Sequence, residues 1–192
     1  MACNNKITAD LLFDCTNLPV KGLAGGKAVL VNLDDIDRTA TTESGATVSN
    51  LQLVSGSAGF SVEWYRELAS TGTALTRSAE DVDGFSHSFL ARLFASDALS
   101  AERANELKNG RFALVVETEY GGTDNLSKYK VYGLKSGLEL SEMAGTSGEN
   151  SSSLLFTLAT REGSFEQYPF QILDEGVYAT TKASYDSMFA EV

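Results

Sequence analysis

Cysteine, proline and histidine are all scarce in this chain of 192 residues, which has 2 cysteines, 2 prolines and 1 histidine. Cys3 and Cys15 both lie near the N-terminus, and they could form a bridge only in an oxidising compartment. One histidine adds few further ligands for a metal. The scarcity excludes a disulfide scaffold, so we expect two unrelated thiols and no metal site.

Long apolar runs are also missing. No segment approaches the roughly 18 apolar residues that a membrane-spanning helix needs. The first six residues lack the apolar core of a signal peptide, and Asp10 and Asp14 interrupt the few apolar residues that follow. The sequence therefore predicts a protein that is made in a cytoplasm and does not bind membranes. Later release inside a larger particle is compatible with this prediction.

Basic residues are outnumbered. The chain has 15 lysines and arginines against 26 aspartates and glutamates, for a net charge of −11 and a pI near 4.5. A protein that wraps nucleic acid needs a positive surface to neutralise phosphates. The charge argues against such a protein, and its simplest consequence is solubility.

Motifs of common enzymes are absent from the sequence too. It has no G-x-S-x-G elbow, and residues 145–148 lack the remainder of a phosphate loop. His87 has no recognisable nucleophile or carboxylate partner, so we expect a structural histidine. Asp34, Asp35 and Asp37 miss the spacing of a calcium loop and predict a solvated turn. A catalytic carboxylate pair depends on separation in space, which the sequence does not show. We expect no enzyme and no cofactor.

Alternating apolar and polar residues, by contrast, are abundant and predict antiparallel strands. The clearest occupy residues 111–120, 129–140, 154–160 and 165–172, and earlier strands are expected at 27–33, 51–55, 60–65 and 85–94. Several strands carry apolar residues on both faces, which predicts a sheet packed on both sides, against a second sheet or another subunit. Lys130 and Ser136 interrupt one otherwise apolar face. The pattern indicates a single, mainly β domain over residues 1–192.

One helix is expected at residues 96–109, with Ser96 or Ser100 as N-cap, Leu99 on its apolar face and a left-handed stop at Gly110. Around this core of the domain we expect a possible N-terminal arm at residues 1–26, although an ordinary surface loop fits equally. Residues 67–84 predict a long loop or a protruding hairpin. Residues 174–192 form a C-terminal tail that ends in a short helix at about residues 183–191.

The order of these elements resembles the tail-tube family of bacteriophages and related injection systems, and the ring proteins stacked beneath the portal of some phage tails. The matching part is residues 51–172: early strands, the loop at 67–84, a short helix at Ala98–Asn109 and the strand after it. Residues 131–140 are similar to the strand, glycine, strand passage of that family, and residues 157–167 to its late hairpin. The first fifty residues and the tail lie outside the resemblance.

The resemblance implies a β-sandwich or half-barrel of antiparallel strands that closes into a hexameric or dodecameric ring by joining sheet edges. Such a ring or tube would lie in the tail or head–tail connection of a virion, beside other tail or connector proteins, with DNA as passing cargo. The loop carrying Glu80, Asp81 and Asp83 would reach the next ring. Carboxylates lining the channel would repel DNA phosphates, and the candidates are Glu117, Glu119 and Glu139.

Two other interpretations stay open. The three glutamates could be ordinary solvent-facing strand residues. The chain could also be a capsid decoration protein or a β-sandwich module that binds carbohydrate or protein. A carbohydrate site would need exposed aromatic side chains, and the candidates are Trp64, Tyr65, Tyr120 and Tyr129. Trp64 itself alternates with Phe60 and Val62, which favours a core position over ligand stacking.

Overall fold

The computed structural model describes residues 7, 9–11, 14, 17–18, 20–66, 68–77, 83–147 and 153–189. These residues form an 11-stranded sheet and two α-helices. The strands are β1 (Leu23–Asn32), β2 (Thr42–Ser44), β3 (Thr47–Asn50), β4 (Phe60–Glu63), β5 (Ser70–Thr76), β6 (Gly84–Leu93), β7 (Phe112–Thr118), β8 (Tyr129–Tyr132), β9 (Leu138–Ala144), β10 (Leu154–Thr160) and β11 (Gln171–Leu173). The helices are α1 (Ala98–Asn109) and α2 (Tyr178–Ser187). The predicted mainly β fold is confirmed. Of its two helices, the sequence predicted α1 clearly and α2 only as a short helix at the end of the tail.

The sheet forks at β7. One edge of β7 pairs with β1, which in turn pairs with β4. The other edge pairs with β8 and then, through Phe112 and Leu138, with β9. From this fork one branch continues β8-β11-β3-β2 and the other β9-β10-β6-β5. The second branch curls over β1 and β7, because its inward side chains share a core with theirs. The sheet does not close into a barrel, so the architecture is that of an open half-barrel.

Both faces of β1 and β7 are buried, in two separate cores. The first core joins one face of these strands to the end of α2 and includes Val29, Val31, Ala113, Val115, Tyr129, Val131, Tyr185 and Met188. The second core fills the half-barrel and includes Ala28, Leu30, Phe89, Ala91, Leu114, Val116, Phe156 and Leu158. The prediction of strands packed on both sides is thus confirmed. The same chain supplies both layers, so neither core needs another subunit.

The helix α1 differs from its prediction in its ends and in its burial. Its N-cap is Asp97, whose carboxylate accepts a hydrogen bond of 2.8 Å from the Ser100 backbone N–H. Gly110 has an extended backbone at the other end, with φ −88°. A Cβ there would lie 2.1 Å from the Phe112 ring, so glycine is needed for space and not for a left-handed stop. Leu99 is exposed, because α1 lies on the surface with little of it buried.

Three stretches near the ends of the predicted strands also differ. β1 begins at Leu23 and includes residues 23–26 of the expected arm, since Gly25 and Gly26 adopt positive φ where the register shifts. Residues 51–55 contribute a single bridge, from Leu53 to Ile36. The tail is not a loose appendage: it contains α2, which begins five residues earlier than expected because Tyr178 and Tyr185 stack on Tyr129 of the first core.

The expected long loop at residues 67–84 is wrong for residues 70–76, and the alternative of a protruding hairpin is met only in part, because the second strand, β6, extends beyond that range. Residues 70–76 form β5, which pairs antiparallel with β6 from Ser70 opposite Leu90 to Thr76 opposite Gly84. The sequence Ser-Thr-Gly-Thr-Ala-Leu-Thr has no apolar alternation. An edge strand that is mostly exposed does not need apolar alternation. For this reason the alternation of apolar residues did not predict β5.

His87 lies in the wall of the half-barrel, where it is buried and held by backbone groups. Its Nδ1 accepts a hydrogen bond of 3.0 Å from the Gly133 N–H, and its Nε2 donates over 2.9 Å to the Tyr168 carbonyl. Burial lowers the pKa of His87 below its ordinary value of 6.5, against an opposing effect of the Tyr168 carbonyl. Protonation of Nδ1 would break the bond from Gly133. The folded protein therefore favours neutral His87.

This arrangement predicts that acid destabilises the fold before the carboxylates titrate. The unfolded chain binds the His87 proton near pH 6.5, whereas the folded chain binds it only at lower pH. The free energy of unfolding should therefore fall below pH 6.5, by up to about 1.4 kcal/mol per pH unit. Urea unfolding at pH 7.5, 6.5 and 5.5 measures this, with His87→Gln as a control whose stability should change less. Equal pH dependence in both proteins would contradict the prediction.

Candidate functional site

Three strands leave the sheet with an unpaired edge within the described part of the chain: β2, β4 and β5. β2 is three residues long and carries Glu43, and β4 is four residues long and carries Glu63. β5 has seven residues, none of them charged and none of them proline. Natural proteins usually protect a free edge by keeping it short or placing charges or proline on it. β5 has none of these protections.

β5 is nevertheless held firmly against the rest of the half-barrel. The Thr71 hydroxyl donates over 3.2 Å to the Tyr132 hydroxyl, and the Thr73 hydroxyl donates over 2.6 Å to the Pro169 carbonyl. Leu75, near the end of the strand, is 54% exposed. Thr71 and Thr73 thus anchor the strand on the face that Leu75 shares, and the edge of β5 away from β6 has no partner strand among the described residues. This is a preformed template on which another strand can pair.

The three glutamates expected to line a channel differ in exposure and in pairing. The Glu117 side chain is only 14% exposed and forms an ion pair of 3.0 Å with Lys128. This contact raises the pKa of Lys128 above its ordinary value. Glu139 lies 3.4 Å from Arg111, at the opposite end of β7. Among the three, only Glu119 is exposed and outside any ion pair within the described residues. Two of the candidate carboxylates are therefore neutralised by partners within the chain.

Of the candidate inter-ring residues, one lies within the described part of the chain. Asp83 directly precedes β6. Glu80 and Asp81 lie outside the described residues. Asp83 therefore lies next to β6, the strand that pairs with β5.

A cleft of about 570 Å³ opens at the end of the half-barrel where β5 begins. Its walls come from the start of β1, the chain that leads into β5, the first half of β5, the ends of β7 and β8, and the segment before β11. The lining residues are Val20, Lys21, Gly22, Leu23, Trp64, Arg66, Ala69, Ser70, Thr71, Gly72, Thr73, Thr118, Tyr120, Lys130, Tyr132, Pro169 and Phe170. Aromatic rings, hydroxyls and basic groups line this cleft, and no described aspartate or glutamate does.

Of the four aromatic residues proposed for a sugar site, the cleft brings together Trp64 and Tyr120. Trp64 also packs against the second core. It therefore contributes to the core, as one interpretation predicted, and it lines the cleft, as the other interpretation requires. Tyr65 is exposed beside the cleft, under the Arg66 guanidinium at 5.0 Å from its ring. Tyr129 is wrong as a surface candidate, because it lies on the opposite face of β8 in the first core. The sequence held one further indication of this cleft that the predictions did not use, namely Lys130, a cation on an otherwise apolar strand face.

Among the described residues, no group of three or more His, Cys, Asp or Glu could hold a metal ion. No helix in this part of the chain is long and apolar enough to cross a membrane. Comparison with known proteins found no family model, no curated protein and no solved structure that matches the chain.

Proposed function

We propose that this chain is a structural subunit of a phage virion, which assembles edge to edge into a ring or tube in the tail or head–tail connection. The observation that carries the proposal is the unprotected edge of β5. The element order that resembles tail-tube proteins supports the same function. Its partners would be further copies of itself and neighbouring tail or connector proteins, with DNA as passing cargo.

Ring closure requires two different edges on each subunit, since copies must join head to tail. β5 supplies one edge, and β4 or β2 supplies the other. β4 is the better complement, because Phe60 on it is an exposed apolar side chain, as Leu75 is on β5. Both strands are terminal strands of the sheet within the described residues. Pairing β5 of one copy with β4 of the next would bury both apolar side chains and continue the sheet between subunits.

The channel of such a ring would repel DNA mainly through the net negative charge of its subunits, and less through a row of glutamates. Glu117 forms an ion pair with Lys128, and Glu139 forms one with Arg111. Glu119 is then the one exposed candidate of the three. Each subunit still carries a net charge of −11. A ring of many such subunits has a strongly negative potential, which keeps DNA from adhering.

Light scattering and negative-stain imaging of the purified protein test assembly directly. We expect rings or tubes whose mass is a multiple of six subunits. Leu75→Lys places a charge beside the β5 edge and should weaken association at least about tenfold. Leu99→Lys is the matched control, because Leu99 is 56% exposed on α1 and belongs to no strand of the sheet. It should assemble as the unmodified protein does.

Two results would contradict the proposal. A wild-type protein that remains monomeric at the highest concentration reached would exclude self-assembly. Assembly that Leu75→Lys and Leu99→Lys weaken equally would show that the β5 edge is not the contact.

A further inference from the structure

Lys130 occupies an unusual position for a cation. It lies on the same face of β8 as Tyr132 and opposite Val116 of β7, so its side chain enters the half-barrel. Lys130 is half-buried, and no described carboxylate lies within ion-pair distance of its ammonium group. The ammonium lies 4.6 Å from the centre of the Phe170 ring. Withdrawal from water lowers the pKa of Lys130 below its ordinary value of 10.5.

A cation withdrawn from water without a partner carboxylate costs free energy, and the aromatic ring offsets only part of that cost. An anion that enters the cleft would supply the missing charge. The exposed residues Lys21 and Arg66 also line the cleft. The absence of described carboxylates from these walls contrasts with the chain as a whole, where acidic residues outnumber basic ones. The cleft is therefore a local site of positive charge on an acidic protein.

The other walls of the cleft suit the ring of a sugar. Trp64, Tyr120 and Phe170 contribute aromatic surface of the kind that packs against the C–H face of a sugar. Thr71 and Tyr132 contribute hydroxyls that already bond to each other and can also bond to a ligand. The volume of about 570 Å³ is within the range of small-molecule sites. Cation, aromatic surface and hydroxyls thus meet in one place.

We propose that this cleft binds a sugar ring that carries one carboxylate, of the uronic acid class, with its carboxylate at Lys130 and its apolar face against the aromatic wall. A monoanion fits better than a polyanion, because the protein's net charge of −11 repels each added negative charge. This inference goes beyond the proposed assembly and does not depend on it, since one subunit contains the whole cleft.

Trp64 is the only tryptophan in the chain, so all tryptophan emission comes from a residue that lines the cleft. Titration with glucuronate should change the Trp64 emission and saturate. Glucose, which has the ring without the charge, should bind at least about tenfold more weakly, because it lacks the charge-assisted hydrogen bond. Inorganic phosphate at the same ionic strength should not compete effectively, because it has no ring for the aromatic wall.

Lys130→Met removes the charge and keeps a long apolar side chain, so it should fold and lose the preference for glucuronate over glucose. Lys108→Met, on the exposed end of α1, is the matched control and should keep that preference. The proposal is overturned if glucuronate leaves the emission unchanged, if glucose binds as tightly, or if Lys130→Met retains the preference. Should Lys130→Met fail to fold, the glucuronate–glucose comparison in the wild-type protein decides alone. Loss of assembly in Leu75→Lys is a separate readout, so failure of either proposal leaves the other testable.

Discussion

Replacing Glu166 with alanine is expected to lower the free energy of unfolding by about 3 kcal/mol. The residue is only 3% exposed. Its Oε1 accepts hydrogen bonds from the backbone N–H groups of Lys135 and Ser136, at 3.0 and 2.8 Å, and from the Ser136 hydroxyl at 2.8 Å. Alanine would leave these donors without their charged acceptor. Unsatisfied groups in a partly buried turn cost more than the net value of the bonds themselves.

The position of these bonds adds to the expected effect. Residues 133–137 form the turn between β8 and β9, which is where the sheet forks and the half-barrel begins. Glu166 holds the middle of this turn, and its backbone also exchanges two hydrogen bonds of 2.9 Å with Phe85 of β6. His87 binds the start of the same turn through Gly133. Loss of the Glu166 carboxylate therefore loosens the junction between the two branches.

Urea unfolding at pH 7.5 measures this effect, with two matched variants. Glu166→Gln keeps an acceptor oxygen and loses the charge, so it should cost roughly half as much as alanine. Glu162→Ala removes an exposed carboxylate from the neighbouring turn and should change stability by less than about 0.5 kcal/mol. A loss in Glu166→Ala no larger than that in Glu162→Ala would show that the turn does not need its carboxylate.

Strands with regular alternation could be predicted well from the sequence. In β7, Phe112, Leu114 and Val116 face together as expected, and they fill the half-barrel. Ala113 and Val115 on the other face enter the first core. Alternation identifies the two faces because side chains in a strand follow a period of two. It does not identify what covers each face, and the roles of α2 and the curled branch emerge only from tertiary packing.

Residues whose role depends on distant partners could not be predicted in the same way. Glu117 and Glu139 occupy polar positions of alternating strands, so their pattern favours solvent exposure, yet Lys128 and Arg111 pair with them. Glu166 appears in the sequence as a charge in a predicted strand, and its partners lie about 30 residues away in the chain. The cleft joins residues from six segments, and the sequence indicated it only through the aromatic candidates Trp64 and Tyr120 and through Lys130, which interrupts an apolar face.

Replacing Gly59 with alanine is expected to destabilise the fold by about 3 kcal/mol, at the upper end of the cost of overpacking a core. Gly59 is buried between β1 and the end of α2, and its N–H donates over 2.6 Å to the Met188 carbonyl. An added Cβ would lie 2.3 Å from Cγ1 of Val29 and 3.0 Å from the Met188 carbonyl oxygen. Val29 is fully buried, so it has little freedom to move away.

A double-mutant cycle separates this clash from a general sensitivity of the region. Val29→Ala alone should cost about 2 kcal/mol, because it leaves a cavity in the first core. Combined with Gly59→Ala, it removes the Cγ1 atom that the new methyl group meets, so the double variant should be more stable than the sum predicts by about 1 kcal/mol. Full recovery is not expected, because the contact with the Met188 carbonyl remains. Strict additivity would show that Gly59 is required for a reason other than the space beside Val29, since only a shared contact couples the two positions.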